Sequence, residues 1–525
     1  MTTAASPKDF KITYTSSNAD MESFHRLFDE ALAEARKKFG TIHPLFINGK
    51  AVEVPEKLIE VRSPINSEWL LGNFSSATPA HADEAVKAAK RAQADWERRP
   101  WQERVAILRK AAALIRERKF SIAAVMSMEV GKSRLEAMGD AEESADLIDY
   151  YSRQMDEGQG FVKTMGRLMP NENAVSVLRP YGVFVCIAPF NFPMALSTGM
   201  SAAALLAGNA VVYKPAKTTP WTGLSLYECY RDAGVPPGIF NYLPCDAAVG
   251  EALWKNPLAD GVVFTGSKAV GLRIFHEFSK DWVKPVLMEL GGKNAAVVCA
   301  SADLDMAAEG VMKSAFGLQG QKCSACSRVY LDEKIADDFL ARLLKKTAAI
   351  VKGDPTQKDV YFGPVIDARA VQRFEEAAAL AAKTGKILAG GKTLSGGVFD
   401  KGHFVEPTVA ELPLGSKLFM DELFLPFLSV GRVKNLDEAV AETNKAEYGL
   451  TAGIFTKDRK EIERFFDHVE AGVCYANRKT GATTGAWPGV QPFCGWKGSG
   501  STGKGGCGPY YVAQFMREQS RTIME

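Results

Sequence analysis

The order of hydrophobic and polar positions along the chain predicts an α/β protein. Near the N-terminus, apolar residues recur every three to four positions in MESFHRLFDEALAEARKKFG, which is the spacing of a helix with one buried face. Two short stretches typical of strands follow, PLFINGKAVEV and LIEVRSP, with a turn-forming Asn-Gly pair in the first. A helical pattern then runs from about His81 to Tyr151, interrupted at Pro100 and Gly131.

The middle of the chain alternates apolar stretches of strand length with stretches of helix length. The strand candidates are YGVFVCIAPF, AVVYKPA, IFNYLP, GVVFTG and KPVLMEL. The helix candidates between them are GMSAAALLAG, TGLSLYECYRDAG, AAVGEALWK and KAVGLRIFHEFSKD. Because apolar strands separated by helices form parallel sheets covered on both faces, with right-handed crossovers, we expect a doubly wound domain here.

A second α/β pattern begins at Gly291 with AAVVCA, a helix over about 303–318, SRVYL, and a helix over about 334–351. The stretch NAVSVLR has strand propensity but fits neither domain, and the C-terminal YYVAQFMREQSRTIM could pair with it as a hairpin. An unpaired edge there invites pairing with another chain, so we expect a β-arm for oligomerisation, with a dimer as the smallest unit. The predicted division is 1–158 with 180–289, then 290–504, and an arm of 159–179 with 505–525.

Composition changes this picture by exclusion. The chain has 64 Lys and Arg against 62 Asp and Glu, without long basic runs, so neither nucleic acid nor an anionic membrane is implied as a partner. No apolar run reaches the roughly 18 residues of a membrane span, and the polar start MTTAASPKDFKITYTSSNAD lacks the apolar core of a secretory signal. Nine irregularly spaced cysteines do not form a disulfide framework, which favours a reducing cytoplasm.

Two of these cysteines lie three positions apart in QGQKCSACSR, which allows three interpretations. A redox pair normally opens a helix after a strand, whereas the residues before Cys323 have the pattern of a glycine-broken helix end. A zinc site needs a second Cys or His pair, and no histidine stands in one, so we expect no metal. A single nucleophilic thiol at Cys323 remains, with Lys322 favouring its thiolate, against the plainer alternative of an inert buried cysteine.

Two stretches at predicted strand ends suit a nucleotide. In VVFTGSKAVG, Gly266, Ser267 and Gly271 surround a helix start whose free amides and dipole could receive a phosphate. In VVYKPAKTTP, Lys214 places a cation at the carboxyl end of the sheet, where doubly wound folds bind ligands. The plainer alternatives are a tight turn and a surface lysine.

Two further strand ends carry groups suited to carbonyl chemistry. In APFNFP, two prolines fix the backbone around Asn191, whose amide could stabilise an oxyanion. In MELGGKN, Glu289 precedes a glycine pair and could act as a general base if it is partly desolvated. A turn asparagine and a solvated rim carboxylate are the plainer alternatives.

Taken together, these stretches resemble the aldehyde dehydrogenase superfamily. APFNFP, KPAKTTP, FTGSKAVG, ELGGK, GQKC and DELF occur in that family's order and approximate spacing, over nearly the whole chain. The resemblance implies an α/β fold of two doubly wound parallel-sheet domains plus the β-arm, in a homo-oligomer. It also implies NAD- or NADP-dependent oxidation of a small aldehyde through a cysteine thiohemiacetal and thioester.

The resemblance assigns roles to individual residues. Cys323 would be the nucleophile, Asn191 with the Cys323 amide the oxyanion site, and Glu289 the base that activates water for thioester hydrolysis. The positions that it implies for cofactor binding are Lys214, Gly266, Ser267, Gly271, Glu422 and Phe424. Lys217 stands where many NAD-preferring relatives have glutamate, so we expect NADP to be accepted as well as NAD.

A narrower resemblance is to the L-glutamate γ-semialdehyde (1-pyrroline-5-carboxylate) dehydrogenases. QGQKCSACSR, NRK at 477–479, TGAWPGVQPF at 484–493 and KKFGTIHPLFINGK carry it. It implies oxidation of the semialdehyde to glutamate in proline catabolism. The positions that it implies for the substrate carboxylate and methylene chain are Phe192, Lys322, Ser324, Gly485, Ala486 and Phe493, with Cys326 a bystander.

The chain also departs from that narrower pattern, at Leu290, Leu425, Cys494 and Tyr510 and in a longer anchor loop, NRKTGATTGAWPG. A dehydrogenase for another aliphatic or aromatic semialdehyde is therefore the first alternative. A non-catalytic member of the fold is a second, against which the intact Cys323 and its partners argue. A Cys–His hydrolase is a third, against which the absence of a histidine in any strand-end motif argues.

Overall fold

The computed structural model describes residues 11, 21–479 and 487–525. Within these ranges the α-helices are α1 (Met21–Arg36), α2 (Pro79–Arg98), α3 (Trp101–Val130), α4 (Arg134–Glu157), α5 (Ala195–Leu206), α6 (Pro220–Ala233), α7 (Ala247–Trp254), α8 (Lys268–Phe278), α9 (Leu304–Phe316), α10 (Ala336–Ala348), α11 (Ala368–Thr384), α12 (Leu436–Asn444) and α13 (Arg459–His468). No helix among the described residues has the length and apolar character needed to cross a bilayer.

The strands of the same residues fall into two large sheets, a β-arm and smaller pairings. They are β1 (Ile42–His43), β2 (Leu45–Ile47), β3 (Lys50–Val52), β4 (Leu58–Arg62), β5 (Leu70–Ser75), β6 (Val162–Thr164), β7 (Glu172–Pro180), β8 (Val183–Ile187), β9 (Ala210–Lys214), β10 (Phe240–Tyr242), β11 (Gly261–Thr265), β12 (Val286–Glu289), β13 (Asn294–Val298), β14 (Cys326–Asp332), β15 (Lys386–Ala389), β16 (Thr408–Glu411), β17 (Phe427–Val433), β18 (Tyr448–Gly449), β19 (Thr451–Phe455), β20 (Val473–Ala476), β21 (Trp496–Lys497) and β22 (Met516–Met524).

The breaks between the N-terminal helices lie where the sequence predicts, at Pro100 and Gly131, although the helical region runs from Pro79 to Glu157 and so extends beyond the predicted His81 and Tyr151. Pro100 immediately precedes α3, a position where its missing amide hydrogen costs nothing. Gly131 follows α3 with φ of 81°, the left-handed conformation that glycine adopts without strain. Helix α1 buries Phe24, Phe28 and Leu32, so its predicted apolar face is confirmed.

The first large sheet has the strand order β12-β11-β8-β9-β10-β2-β3. Strands β8 to β12 are parallel, and the β2–β3 hairpin joins the edge strand β10 in the antiparallel sense. All five residues of β11 are buried, as the apolar runs predict for strands with helices on both faces. The predicted doubly wound sheet is confirmed.

The second large sheet has the order β15-β16-β17-β14-β13-β19-β20 and is parallel apart from the β15–β16 pair. The chain crosses from the first sheet to the second between Glu289, the last residue of β12, and Asn294, the first of β13. Each sheet has its own buried apolar layers. Two parallel sheets of this kind confirm the predicted fold class.

The predicted arm is a three-stranded antiparallel sheet, β22-β7-β6. Strand β22 pairs with β7 over their whole length, from Met516 opposite Pro180 to Met524 opposite Glu172. This confirms the companion that the sequence suggested for NAVSVLR. Within the described chain, β6 and β22 are the edge strands of this sheet.

Candidate active site

Two cavities share the wall formed by Cys323 and Thr265. The strand-end cavity lies at the carboxyl ends of β8, β9 and β11. The inner cavity is lined largely by apolar side chains of α4 and α5. A group held at Cys323 can therefore be reached from both cavities.

Cys323 lies on a short turn just before β14, which the Ala325 amide closes by donating to the Lys322 carbonyl at 3.1 Å. Burial raises the pKa of the Cys323 thiol well above its ordinary value, and the nearby carboxylates of Glu422 and Glu289 raise it further. The backbone amides of Ser324 and of Cys323 itself oppose this by favouring the thiolate. The thiol is therefore protonated at neutral pH, and its ionisation depends on a proton acceptor close by.

Glu289, at the carboxyl end of β12, lines the inner cavity together with Cys323. Burial raises the pKa of its carboxyl to about 8, against a hydrogen bond from the Gly506 backbone that lowers it. Its Oε2 atom is buried without a hydrogen-bond partner in the structure. A desolvated carboxylate with a free oxygen has the properties of a general base.

Asn191 lines the strand-end cavity beside Cys323 and is itself buried. Glu422 and Phe424 lie on the same wall. The Gly292 amide donates to Glu422 Oε1 at 2.9 Å, and burial raises the pKa of this carboxyl to about 7. Phe424 has a φ of 59°, which is rare for a side chain of this size and marks a constrained position.

Lys214, Gly266 and Ser267 also line the strand-end cavity. Helix α8 begins directly after Ser267, whose side chain makes no capping hydrogen bond, so the first amides of α8 remain available to a ligand. Two predicted cofactor contacts, Gly271 and Lys217, do not line this cavity and stay predictions. Gly271 lies one turn inside α8, where a Cβ would overlap Leu290, and Lys217 is exposed.

Phe192, Ser324 and Phe493 line the inner cavity, where the sequence predicts substrate contacts. Gly485 and Ala486 lie outside the described residues.

Lys322 is not on the wall of the inner cavity, and its role as an anchor for the substrate carboxylate stays a prediction. Its Nζ lies 2.8 Å from Glu136 Oε1 and 5.9 Å from the centre of the Phe192 ring. The positive charge of Lys322 is thus already compensated by Glu136, and this ion pair lies next to the Phe192 ring. A second cation, Lys132, lies 3.8 Å from the same ring centre and pairs with Asp140 at 2.7 Å, both side chains fully buried.

Sequence reasoning missed these pairs and also missed Asn294, the first residue of β13. Its Nδ2 donates to the Cys323 carbonyl at 2.7 Å and to the Ala325 carbonyl at 2.9 Å. A polar residue opening an otherwise buried apolar strand was the available signal. Cys326 lies in the apolar core of the second sheet, away from both cavity walls.

All nine cysteines lie in the described residues, and all are free thiols. Among those residues, no three or more His, Cys, Asp and Glu side chains are arranged to hold a metal ion. The departures from the narrower sequence pattern lie in different surroundings, and Leu290 is on the wall of the strand-end cavity. Leu290 packs on Gly271, Leu425 is buried in the second core, and Tyr510 is exposed.

The sequence profile described as the aldehyde dehydrogenase family matches residues 51–520. The chain belongs to this family. The 1-pyrroline-5-carboxylate dehydrogenase of Geobacillus sp. (strain WCH70) is 36% identical over 512 residues, covering 96% of this chain and 97% of that protein. The 1-pyrroline-5-carboxylate dehydrogenase 2 of Bacillus subtilis (strain 168) is 38% identical over 505 residues, covering 95% and 96%.

Among solved structures, a Thermus 1-pyrroline-5-carboxylate dehydrogenase with bound NAD superposes with a TM-score of 0.92. It is 35% identical, and the match covers 98% of this chain and 99% of that one. The family and fold predicted from the sequence are thereby confirmed. As a family member, this aldehyde dehydrogenase uses a nicotinamide cofactor to oxidise a small aldehyde.

Proposed function

We propose that this aldehyde dehydrogenase oxidises L-glutamate γ-semialdehyde, the open form of 1-pyrroline-5-carboxylate, to glutamate in proline catabolism. The observation that carries the proposal is the thiol of Cys323 between two cavities, with Asn191 on one wall and Glu289 on the other. The nearly full-length similarity to proteins named for this substrate supports the same choice.

The strand-end cavity fits NAD or NADP. Lys214 and Glu422 would contact ribose hydroxyls, the amides that open α8 would receive the pyrophosphate, and Phe424 would flank the nicotinamide. The uncapped start of α8 is the structural feature that tests this fit, because those amides have no side-chain partner. The cofactor supplies a hydride acceptor when it is bound.

The chemistry centres on the Cys323 sulfur. After the Cys323 thiol has given its proton to water, the thiolate attacks the aldehyde carbon, and the resulting thiohemiacetal oxyanion accepts hydrogen bonds from the Asn191 amide and the Cys323 N–H. A nicotinamide held beside Glu422 and Phe424 would accept hydride from this carbon, which would leave a thioester on Cys323. Glu289 then takes a proton from water, which attacks the thioester and releases the carboxylic acid product and the thiol.

The inner cavity would hold the rest of the substrate. Phe192 and Phe493 would pack against the methylene chain, and the Ser324 hydroxyl would bind the carboxylate, with Gly485 and Ala486 predicted to contribute their amides. Lys322 lies next to the Phe192 ring, where it forms its ion pair with Glu136.

Reduced-nicotinamide absorbance on adding 1-pyrroline-5-carboxylate tests the function. We expect turnover in the wild type and none in Cys323→Ala, whereas Cys326→Ala serves as the matched control because Cys326 belongs to the core. Turnover that survives in Cys323→Ala would contradict the assignment of Cys323 as the nucleophile. If the wild type oxidises other aldehydes but not 1-pyrroline-5-carboxylate, the proposed substrate is wrong.

One observation favours a second candidate. The described wall of the inner cavity is largely apolar and carries two carboxylates, Glu143 and Glu289, but no lysine or arginine. An uncharged aliphatic or aromatic aldehyde suits such a wall better than an anionic one. Hexanal and phenylacetaldehyde in the same assay discriminate: a higher kcat/KM for either than for 1-pyrroline-5-carboxylate would favour this candidate.

We further propose a homodimer as the smallest unit, assembled through the arm of 159–179 with 505–525, and the domain division 1–158 with 180–289 and 290–504. The edge strands β6 and β22 and the 96% exposed Leu168 between β6 and β7 support the arm as a pairing surface. Sedimentation equilibrium tests the assembly, since a species near the chain mass of 57.0 kDa would contradict it.

We also propose a cytoplasmic location, which fits the nine free thiols.

A further inference from the structure

We infer that Asn294 is a positioning residue that sets the geometry of the Cys323 turn and thereby the rate of attack on the aldehyde. The inference rests on the proposed role of Cys323 as nucleophile. Asn294 lies on neither cavity wall, so it acts through the backbone of the turn.

The Asn294 side chain is fully engaged and only 2% exposed. Its two amide hydrogens go to two different carbonyls, those of Cys323 at 2.7 Å and Ala325 at 2.9 Å, which lie on either side of Ser324. Its Oδ1 accepts from the Thr451 amide at 2.9 Å. The side chain is therefore fixed at one end and holds two points of the turn at the other.

The backbone at Gly292 also passes close to the Cys323 carbonyl. A Cβ at Gly292 would overlap the Cys323 carbonyl oxygen, so the chain passes this carbonyl closely only because residue 292 is glycine. The Gly292 amide meanwhile donates to Glu422 Oε1 at 2.9 Å. The Cys323 carbonyl thus lies between the Asn294 side-chain amide and the backbone of Gly292, whose N–H holds the Glu422 carboxylate.

The consequence concerns the amides that face the sulfur. The amides of Cys323 and Ser324 favour the thiolate, and the Cys323 N–H belongs to the proposed oxyanion site. The plane of each peptide fixes an amide relative to a carbonyl, so releasing the Cys323 carbonyl frees the Ser324 amide to turn. Small misplacements of reacting groups cost about a hundredfold in rate.

The test compares Asn294→Ala with Asn294→Ser, which keeps one donor. We expect the pre-steady-state burst of reduced cofactor and the rate of Cys323 alkylation by iodoacetamide to fall about 30- to 100-fold in Asn294→Ala. We expect intermediate rates in Asn294→Ser, and a KM for the aldehyde within about twofold of the wild type in both, because neither cavity wall changes.

Asn209 provides a matched control. It is fully buried, donates to the carbonyls of Ala204 and Phe515, and accepts from the Gly182 amide, with none of these partners on either cavity wall. Asn209→Ala should lower the Tm about as much as Asn294→Ala and leave the alkylation rate unchanged. The inference is overturned if Asn294→Ala alkylates at the wild-type rate, or if Asn209→Ala slows alkylation equally.

Failure of the underlying function gives a different result. Alkylation of the wild type should modify Cys323, shown by peptide mass spectrometry, and abolish turnover. If turnover remains intact after Cys323 has been modified, the assignment of Cys323 as the nucleophile is wrong. If it abolishes turnover while Asn294→Ala behaves as the wild type, only the positioning role is wrong.

Discussion

The raised pKa of Glu289 predicts that thioester hydrolysis speeds up between pH 7 and pH 9. With a pKa of about 8, roughly one-tenth of the carboxyl is ionised at pH 7 and roughly nine-tenths at pH 9, since it titrates as a single group. Only the ionised form can take a proton from water. The deacylation rate should therefore rise about tenfold over this range, whereas a carboxyl at its ordinary value of 4.5 would give no change.

Stopped-flow absorbance separates this step from the earlier ones. The burst of reduced cofactor reports attack by Cys323 and hydride loss, and the linear phase that follows reports hydrolysis when hydrolysis is slower. Glu289→Gln should keep the burst and lose the linear phase by about 10²- to 10⁴-fold, the usual contribution of a general base. Hydroxylamine attacks thioesters without a base, so adding it should restore turnover in this variant.

Two results would refute this reasoning. A linear phase that is flat from pH 7 to pH 9, with a burst still present, would mean that the carboxyl titrates far below 8 or is not the base. Loss of the burst in Glu289→Gln would instead mean that this carboxylate serves Cys323 ionisation, which its placement on the inner cavity beside the thiol also permits.

Three further predictions concern the cofactor, the oxyanion and the fold. Asn191→Ala should lower kcat/KM by about 10²- to 10³-fold through loss of an oxyanion donor, and an unchanged value would contradict that role. Lys217→Glu should lower kcat/KM with NADP at least about tenfold by charge repulsion and leave NAD unaffected; a wild-type preference for NAD above about a hundredfold would refute the premise. Lys132→Met should lower the free energy of unfolding in urea by about 3–5 kcal/mol because Asp140 is left buried without its cation, whereas Arg464→Met, which breaks an exposed pair, should cost less than about 1 kcal/mol.

The large sheets were predictable because their strands are buried on both faces. A strand such as β11, in which every residue is buried, has to be apolar throughout, and that pattern is visible without any knowledge of its neighbours. The helix ends at Pro100 and Gly131 were predictable for a similar reason, since these residues restrict or permit backbone conformations locally. Local chemistry determined both features.

The partners of buried charges were not predictable in this way. Lys322 and Glu136 are separated by 186 positions, and nothing in QGQKC indicates which carboxylate a lysine will meet after folding. The sequence therefore suggested an anchor for a substrate carboxylate where the structure has an ion pair. The two bonds from Asn294 to the Cys323 turn span 29 and 31 positions and were missed for the same reason.

The position of Cys323 shows why only half of this site follows from the rule that ligands bind at the carboxyl ends of parallel strands. Asn191, Lys214, Thr265 and Glu289 lie at or just beyond the carboxyl ends of strands in the first sheet, where doubly wound folds bind ligands. Cys323 instead precedes β14, at the amino end of the second sheet, where that rule predicts nothing. The site forms because the amino edge of one sheet faces the carboxyl edge of the other across Cys323 and Thr265. Catalysis therefore depends on how the two sheets are held together, as well as on the residues that either one contributes.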